Sequence, residues 1–116
     1  MHYKRADRVA ALIQEEISKL LLMEIQDPDV KFITITKVKV TDDIRHAKVY
    51  YSVLDLENHK EKAQAALDRV IGPIKGALGK HLKLRFMPEI AFYYDDSAEY
   101  AHHIDVLLKK IKTEEH

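Results

Sequence analysis

The sequence contains no cysteine, and it has only three glycines and three prolines in 116 residues. The lack of cysteine excludes disulfides, thiolate nucleophiles and zinc sites with cysteine ligands. No apolar run is long enough to span a bilayer, and the segment from Met1 to Arg5 leads into charged residues rather than a signal peptide. We therefore expect a cytoplasmic protein that does not bind a membrane.

An excess of charge of either sign is also missing. Lysine and arginine total 19, aspartate and glutamate also total 19, and the formal net charge is zero. The total charge therefore does not predict a nucleic-acid partner, and only the distribution of charge could do so. The length predicts a single domain over residues 1–116, with 110–116 as a frayed tail, and a hydrophobic content of 47% predicts a real core.

Motifs that carry catalytic chemistry are absent. No serine lies in a Gly-x-Ser-x-Gly context, and there is no Walker-type phosphate loop. The pairs Asp42-Asp43 and Asp95-Asp96 are interpreted as turn and cap residues. His102-His103 with Asp105 is interpreted as an exposed helix face, because adjacent helical residues point about 100° apart and do not easily share an ion. The sequence predicts no enzyme activity, no metal and no cofactor.

The first half of the chain predicts a helix followed by a β-hairpin. Asp27-Pro28 should end the helix, because a residue before proline avoids the helical region. The strand from Phe32 to Val40 changes parity, which predicts a bulge near Thr36-Lys37. A second strand, Ala47 to Val53, alternates apolar and polar residues and should pair antiparallel with the first. The helix is predicted from apolar residues at helical spacing, namely Val9, Leu12, Ile13, Ile17, Leu20, Leu21 and Ile25.

The second half predicts a broken helix, a strand and a last helix. Asn58 and Glu61 form a capping-box pattern, and Gly72-Pro73 should divide the apolar stripe that follows into two helices meeting at a kink. Another capping box, Asp96 and Glu99, should begin the last helix. The third strand is predicted from Leu84, Phe86, Ile90, Phe92 and Tyr94, and the buried side of the last helix from Ile104, Leu107, Leu108 and Ile111.

The resulting order is α-β-β-α-kink-α-β-α, an α+β domain. Helices should pack on one face of a three-stranded sheet and leave the other face partly exposed to solvent. Tyrosines occur in two adjacent pairs, Tyr50-Tyr51 and Tyr93-Tyr94. Neighbours on a strand point to opposite faces, so at most one tyrosine of each pair can stack on a nucleic-acid base at the open face.

Positive charge is segregated along the chain. Between Arg69 and Pro88 there are five basic residues and no acidic one. This run brackets the predicted kink, where a new helix N-terminus would offer backbone N–H groups to a phosphate. Gly76 to Gly79 also spells the GxxG of ordinary KH domains, but the helical stripe continues through it, so we place the kink at Gly72-Pro73.

Five stretches resemble the ribosome-binding factor A family, in the family's order and spacing. The family has an Ala-x-Gly kink where this chain reads Val70-Ile71-Gly72, followed by Pro73, and Asp29 stands where the family often has a basic residue. The stretches are Arg5-Ala6-Asp7-Arg8-Val9-Ala10, Glu24-Ile25-Gln26-Asp27-Pro28, His46-Ala47-Lys48-Val49-Tyr50-Tyr51-Ser52-Val53, Leu82-Lys83-Leu84-Arg85 and Pro88-Glu89-Ile90-Ala91-Phe92-Tyr93-Tyr94-Asp95-Asp96-Ser97.

The resemblance implies a type II KH fold and binding to the small (30S) ribosomal subunit. It also implies a role in late maturation and processing of 16S ribosomal RNA. We expect the protein to be a monomer. Two other hypotheses remain open: a ferredoxin-like regulatory domain that binds a small molecule, and a hydrolase acting on RNA. The residues predicted to contact RNA, mainly through phosphates, are Arg5, Arg8, Lys37, Lys39, Arg45, Lys48, Gly72, Lys75, Lys80, Lys83 and Arg85.

Overall fold

A computed structural model describes residues 4–54 and 59–114. The predicted cap Asn58 lies outside these residues, as do the first three residues of the chain and positions 115 and 116. The elements in chain order are α1 (Arg5–Lys19), a π-helical turn (Leu20–Glu24), a 3-10 turn (Pro28–Val30), β1 (Ile33–Val40), β2 (His46–Val53), α2 (His59–His81), β3 (Glu89–Tyr94) and α3 (Ser97–Glu114).

The three strands form one mixed sheet in the order β1-β2-β3. β1 pairs antiparallel with β2, and β3 lies parallel to β2 on its other side. The register of β1 against β2 shifts between Ile35 and Lys37, which confirms the predicted bulge. The extra residue at the bulge turns Ile33, Ile35, Val38 and Val40 toward one face of the sheet, although their sequence parity differs.

The core lies between this face of the sheet and helices α1 and α2. Ile13 and Ile17 of α1 meet Leu67 and Ile74 of α2 in the core, and all four side chains are fully buried. The hydroxyl of Tyr51, on central strand β2, donates a hydrogen bond to Gln64 of α2, so this buried ring carries no unpaired polar atom. This is the predicted KH-like arrangement of helices on one side of a three-stranded sheet.

The kink expected at Gly72-Pro73 does not divide the helix, because α2 runs without a break from His59 to His81. Pro73 faces solvent, so the carbonyl of Arg69, which loses its hydrogen bond to residue 73, can be hydrated. Val70 and Ile74, on either side of the proline, are buried in the same core and hold the helix together. Gly72 has no positive φ, so the backbone does not require glycine there.

The expected third strand is too long, because Leu84 and Phe86 lie in the loop between α2 and β3. Phe92, an apolar residue of the predicted third strand, is only half-buried, whereas Leu21 of the first predicted helix is buried. β3 is an edge strand of the sheet, and α3 does not cover it. Pro88, which lies just before β3, is buried.

The last helix also departs from expectation. The four residues expected on its buried side are 38–55% exposed, and every side chain from Tyr100 to Thr113 is exposed. The periodicity correctly predicted a helix with an apolar stripe, but the structure leaves this stripe exposed to solvent. α3 continues through 110–114, where we expected the frayed tail to begin. The four residues are Ile104, Leu107, Leu108 and Ile111.

Candidate nucleic-acid interface

The open face of the sheet carries lysines and tyrosines side by side. Lys37 lies opposite Tyr50 in the β1–β2 register, Lys39 lies opposite Lys48, and Tyr50 lies opposite Tyr93 in the β2–β3 register. Their side chains point away from the core, because successive residues of a strand face opposite sides. We call these five residues, Lys37, Lys39, Lys48, Tyr50 and Tyr93, the tyrosine platform.

The bulge in β1 is what places two of the lysines on the platform. Without the extra residue at Thr36, a strand that buries Ile35 would turn Lys37 and Lys39 toward the helices. With the bulge, both lysines are exposed beside β2 while Val38 faces the core. The departure from regular alternation in the sequence is therefore part of the construction of this surface.

Within the platform the ammonium groups lie over the rings. The Lys37 Nζ is 4.6 Å and the Lys39 Nζ 6.0 Å from the Tyr50 ring centroid, and the Lys48 Nζ is 5.7 Å from that of Tyr93. Such contacts contribute about 0.5–1 kcal/mol each at exposed sites. The two rings lie 5.8 Å apart, tilted by 34°. Flat rings beside cations are the combination that binds single-stranded nucleic acid by stacking and phosphate contact.

The second tyrosine of each pair faces the core side of the sheet, as expected from strand alternation. The Tyr51 and Tyr94 rings meet edge to face at 5.7 Å, and Tyr94 hydrogen-bonds Glu99 of α3. Burial and the nearby Glu99 carboxylate raise the pKa of Tyr94 to about 12, so its hydroxyl stays protonated. These two rings therefore have a structural role.

An acidic residue borders the platform at the bulge. Asp95 accepts hydrogen bonds from the Thr36 hydroxyl at 2.6 Å and from the Ser97 backbone N–H at 3.0 Å. Hydrogen bonding by Ser97 and Thr36 lowers the pKa of Asp95 to about 2. Asp95 joins the bulge to the beginning of α3, and its fixed negative charge limits how close a phosphate can come to Lys37 from that side.

Three of the predicted arginines come together at one end of the sheet. Arg5 at the beginning of α1, Arg45 in the β1–β2 turn and Arg85 in the loop before β3 line a cavity of about 470 Å³. They are separated by 40 residues or more of sequence, so no local pattern could have indicated that they meet. Phe86, which the sequence pattern predicts in the third strand, lies at the same cavity and is 75% exposed.

The predicted residues of α2 lie in the helical layer, on the other side of the sheet from the platform. Gly72, Lys75 and Lys80 face solvent, and a Cβ added at Gly72 would meet nothing within 4 Å. Lys83 follows in the exposed loop, and Arg8 is exposed on α1. The eleven predicted residues thus occupy more than one surface, and the platform lysines form a group separate from those of α2.

One member of the basic run is already paired with two carboxylates. The Arg69 guanidinium donates to both carboxylate oxygens of Asp27, at 3.0–3.3 Å, and to Asp29 at 3.2 Å. The Asp29 N–H and the Arg69 guanidinium lower the pKa of Asp27, which keeps this ion pair charged. Arg69 therefore fixes the 3-10 turn against α2, a pairing across 42 residues that the sequence pattern did not indicate.

Other kinds of site find little support in the described part of the chain. Residues 4–54 and 59–114 contain no group of three or more histidine, aspartate or glutamate side chains placed to hold a metal ion. Within the same residues, no helix is both long and apolar enough to cross a membrane.

Comparison with known proteins identifies relatives along nearly the whole chain. The sequence model of the family described as ribosome-binding factor A matches residues 5–108. A ribosome-binding factor A from Geobacter metallireducens is 48% identical over 113 residues, which cover 97% of this chain and 96% of that protein.

Solved structures share the fold. The crystal structure of ribosome-binding factor A from Thermus thermophilus superposes with a TM-score of 0.67 at 21% identity, covering 77% of this chain and 93% of that one. A second Thermus thermophilus structure is a homology model fitted into the cryo-EM map of a complex with the 30S subunit. It superposes with a TM-score of 0.64 at 20% identity, covering 78% of this chain and 96% of that one.

Proposed function

The chain belongs to the ribosome-binding factor A family, and on this premise we propose that it binds the small (30S) ribosomal subunit and assists late maturation and processing of 16S ribosomal RNA. A relative from Thermus thermophilus has been fitted into a map of a 30S complex, which supports this partner. Family membership removes the ferredoxin-like regulatory domain as an alternative. We propose a cytoplasmic, single-domain monomer over residues 1–116 that acts by binding and not as an enzyme.

The observation that carries the proposal is the tyrosine platform. Three lysines and two rings lie on the face of the sheet opposite the core that α1 and α2 form, so RNA can approach it without any rearrangement of the core. The lysines would contact phosphates, which position the protein but do not specify sequence. Specificity for one place on the subunit would then come from the shape of the folded RNA and from unpaired bases that reach the rings.

The arginines at the end of the sheet would extend this contact. β2 carries Lys48 on the platform and begins next to Arg45 at the cavity, so the two groups lie along one strand. The lysines of α2 lie on the helical layer, on the other side of the sheet from the platform. We therefore propose the platform and the arginine cavity as the primary RNA contact, and Lys75 and Lys80 as a separate surface.

Co-sedimentation with purified ribosomal particles tests the proposed partner. The protein is mixed with small subunits, large subunits or whole ribosomes, and each mixture is spun through a sucrose gradient at low and moderate salt. We expect it to migrate with the small subunit and to dissociate as salt rises, because phosphate contacts release counterions. Migration with the large subunit alone, or no migration with any particle at low salt, would refute the proposal.

A further inference from the structure

The cavity at the end of the sheet has an apolar floor. Ile44 of the β1–β2 turn and Leu84 and Met87 of the loop before β3 line it, and all three side chains pack against the core from their other side. Its volume of about 470 Å³ lies within the roughly 300–1,000 Å³ typical of sites for small organic ligands. A flat apolar group, and not only a hydrated ion, can therefore be accommodated there.

Backbone hydrogen bonds tie the β1–β2 turn at this cavity to its neighbours. Ile44 has a φ of 58°, a left-handed conformation that is unfavourable for a β-branched residue, and its N–H donates to the Thr41 carbonyl at 2.8 Å. The Glu89 N–H donates to the Arg45 carbonyl at 2.8 Å, which ties the turn to the beginning of β3. Backbone strain that the surrounding structure maintains is common where a protein holds a ligand.

The charge around the cavity is suited to an anion. Three arginines and a single acidic residue, Asp43, line the cavity. The Asp43 carboxylate already accepts from the Thr41 hydroxyl at 2.6 Å and the Arg45 N–H at 3.1 Å, with the Arg45 guanidinium at 3.9 Å. Among the described residues, no carboxylate lies within 4 Å of the Arg5 or Arg85 guanidinium. Arg5 is also the first residue of α1, so the positive end of the helix dipole lies at this rim.

An aromatic ring completes the site. Phe86 is 75% exposed at the cavity, and the Arg85 guanidinium lies 5.6 Å from its ring centroid. Exposing a phenylalanine ring to water is unfavourable, whereas stacking of an unpaired nucleobase on such a ring lowers the free energy. A base needs a flat apolar partner and its phosphate needs cations, and this cavity provides both within one volume.

We propose that this cavity binds one unpaired nucleotide of single-stranded RNA, with the base against Phe86 and the phosphate beside Arg5 and Arg85. The inference rests on the proposed RNA-binding function and adds a ligand class and a mode of recognition to it. Duplex RNA would not occupy the cavity, because its bases are stacked inside the helix and only its backbone is accessible. The cavity therefore distinguishes unpaired from paired RNA, which the platform lysines alone cannot do.

Fluorescence anisotropy with labelled ten-nucleotide oligoadenylate and a duplex of equal length tests the inference. The variant F86L keeps an apolar side chain but removes the ring, and Y100L is the matched control, since Tyr100 is an exposed ring on α3, away from the cavity. Loss of a stacked base worth about 1–3 kcal/mol should weaken single-strand binding by roughly five- to 150-fold in F86L. Y100L should bind like the parent, and F86L should bind the duplex like the parent.

Equal affinity of F86L and parent for the oligoadenylate, or an equal loss in Y100L, would overturn the proposal. Tighter binding of free adenosine monophosphate than of the oligoadenylate would also overturn it, because the cavity would then serve a free nucleotide. Inorganic phosphate should compete with the oligoadenylate less effectively for the double variant R5Q/R85Q than for the parent. For F86L it should compete as effectively as for the parent. Co-sedimentation distinguishes failure of the proposed function from failure of the cavity proposal. A parent protein that neither binds oligoadenylate nor migrates with the small subunit would overturn both proposals. If F86L migrates with the small subunit and binds oligoadenylate with unchanged affinity, only the cavity proposal is overturned.

Discussion

Asp95 connects three parts of the molecule through one carboxylate. It follows the last residue of β3, accepts from Thr36 at the β1 bulge and caps the beginning of α3 through the Ser97 N–H. These bonds favour the ionised carboxylate, and they lower the pKa of Asp95 to about 2 from an ordinary value of 3.8. A single titratable residue thus connects the bulge, which places Lys37 and Lys39 on the platform, to the beginning of α3.

The lowered pKa of Asp95 predicts how stability responds to acid. A carboxyl whose pKa is lower in the folded than in the unfolded state stabilises the fold above pH 3.8, and this contribution is lost as the pH falls toward 2. In D95N the free energy of unfolding should be below that of the parent at pH 5, and the difference should shrink between pH 4 and pH 2.5. Urea denaturation of D95N and the parent at each pH measures the two free energies of unfolding.

T36V removes one partner of Asp95 while keeping a β-branched side chain in the strand. It should lower stability at pH 5 in the same direction as D95N and show a weaker acid dependence than the parent. A difference between parent and D95N that stays constant from pH 5 to pH 2.5 would show that Asp95 has an ordinary pKa in the folded protein.

At the scale of elements, α2 and α3 have similar apolar periodicity but opposite environments. α2 buries its stripe completely at Leu67, Ile74 and Leu78, whereas Leu108 on α3 remains 55% exposed. Periodicity reports that a helix has an apolar side, but it does not report what that side meets. The difference should appear directly in the stability of matched substitutions.

Truncation of one leucine in each helix tests this difference. L78A should destabilise the fold by about 2–5 kcal/mol, because it leaves a cavity in the core. L108A should change the free energy of unfolding by within about 0.5 kcal/mol, as surface substitutions usually do. Urea denaturation of both variants measures the two values, and a loss in L108A as large as that in L78A would show that α3 packs against the domain in solution.

The elements differ in how far sequence reasoning could describe them. The bulge in β1 was predictable because the apolar residues change parity within one β-branched run, and the hairpin followed from its short turn. The continuity of α2 was not predictable, since the effect of Pro73 depends on which side of the helix faces solvent. The convergence of Arg5, Arg45 and Arg85 depends on tertiary contacts between distant segments, which no local spacing encodes.

At the scale of the whole molecule, the two faces of the sheet have separate roles. One face, with α1 and α2, provides the core and the stability, and the other presents the tyrosine platform to solvent. We therefore expect substitutions on the platform to change the proposed RNA binding without changing the fold. A chain with zero net charge can bind RNA in this way, because the lysines and arginines are concentrated on particular surfaces.

The salt dependence of small-subunit binding is the most direct test of the platform as the RNA contact. The variant K37Q/K39Q/K48Q is compared with K109Q/K110Q/K112Q on α3 and with K75Q/K80Q on α2, each by co-sedimentation over a range of salt concentrations. Each lost phosphate contact should reduce the slope of log affinity against log salt by about 0.7–0.9. The account predicts that the platform variant loses about two to three units of slope, with its thermal melt unchanged, while the α3 variant keeps the parent slope. A platform variant that binds like the parent at every salt concentration, while K75Q/K80Q loses affinity, would contradict it and place the RNA on α2.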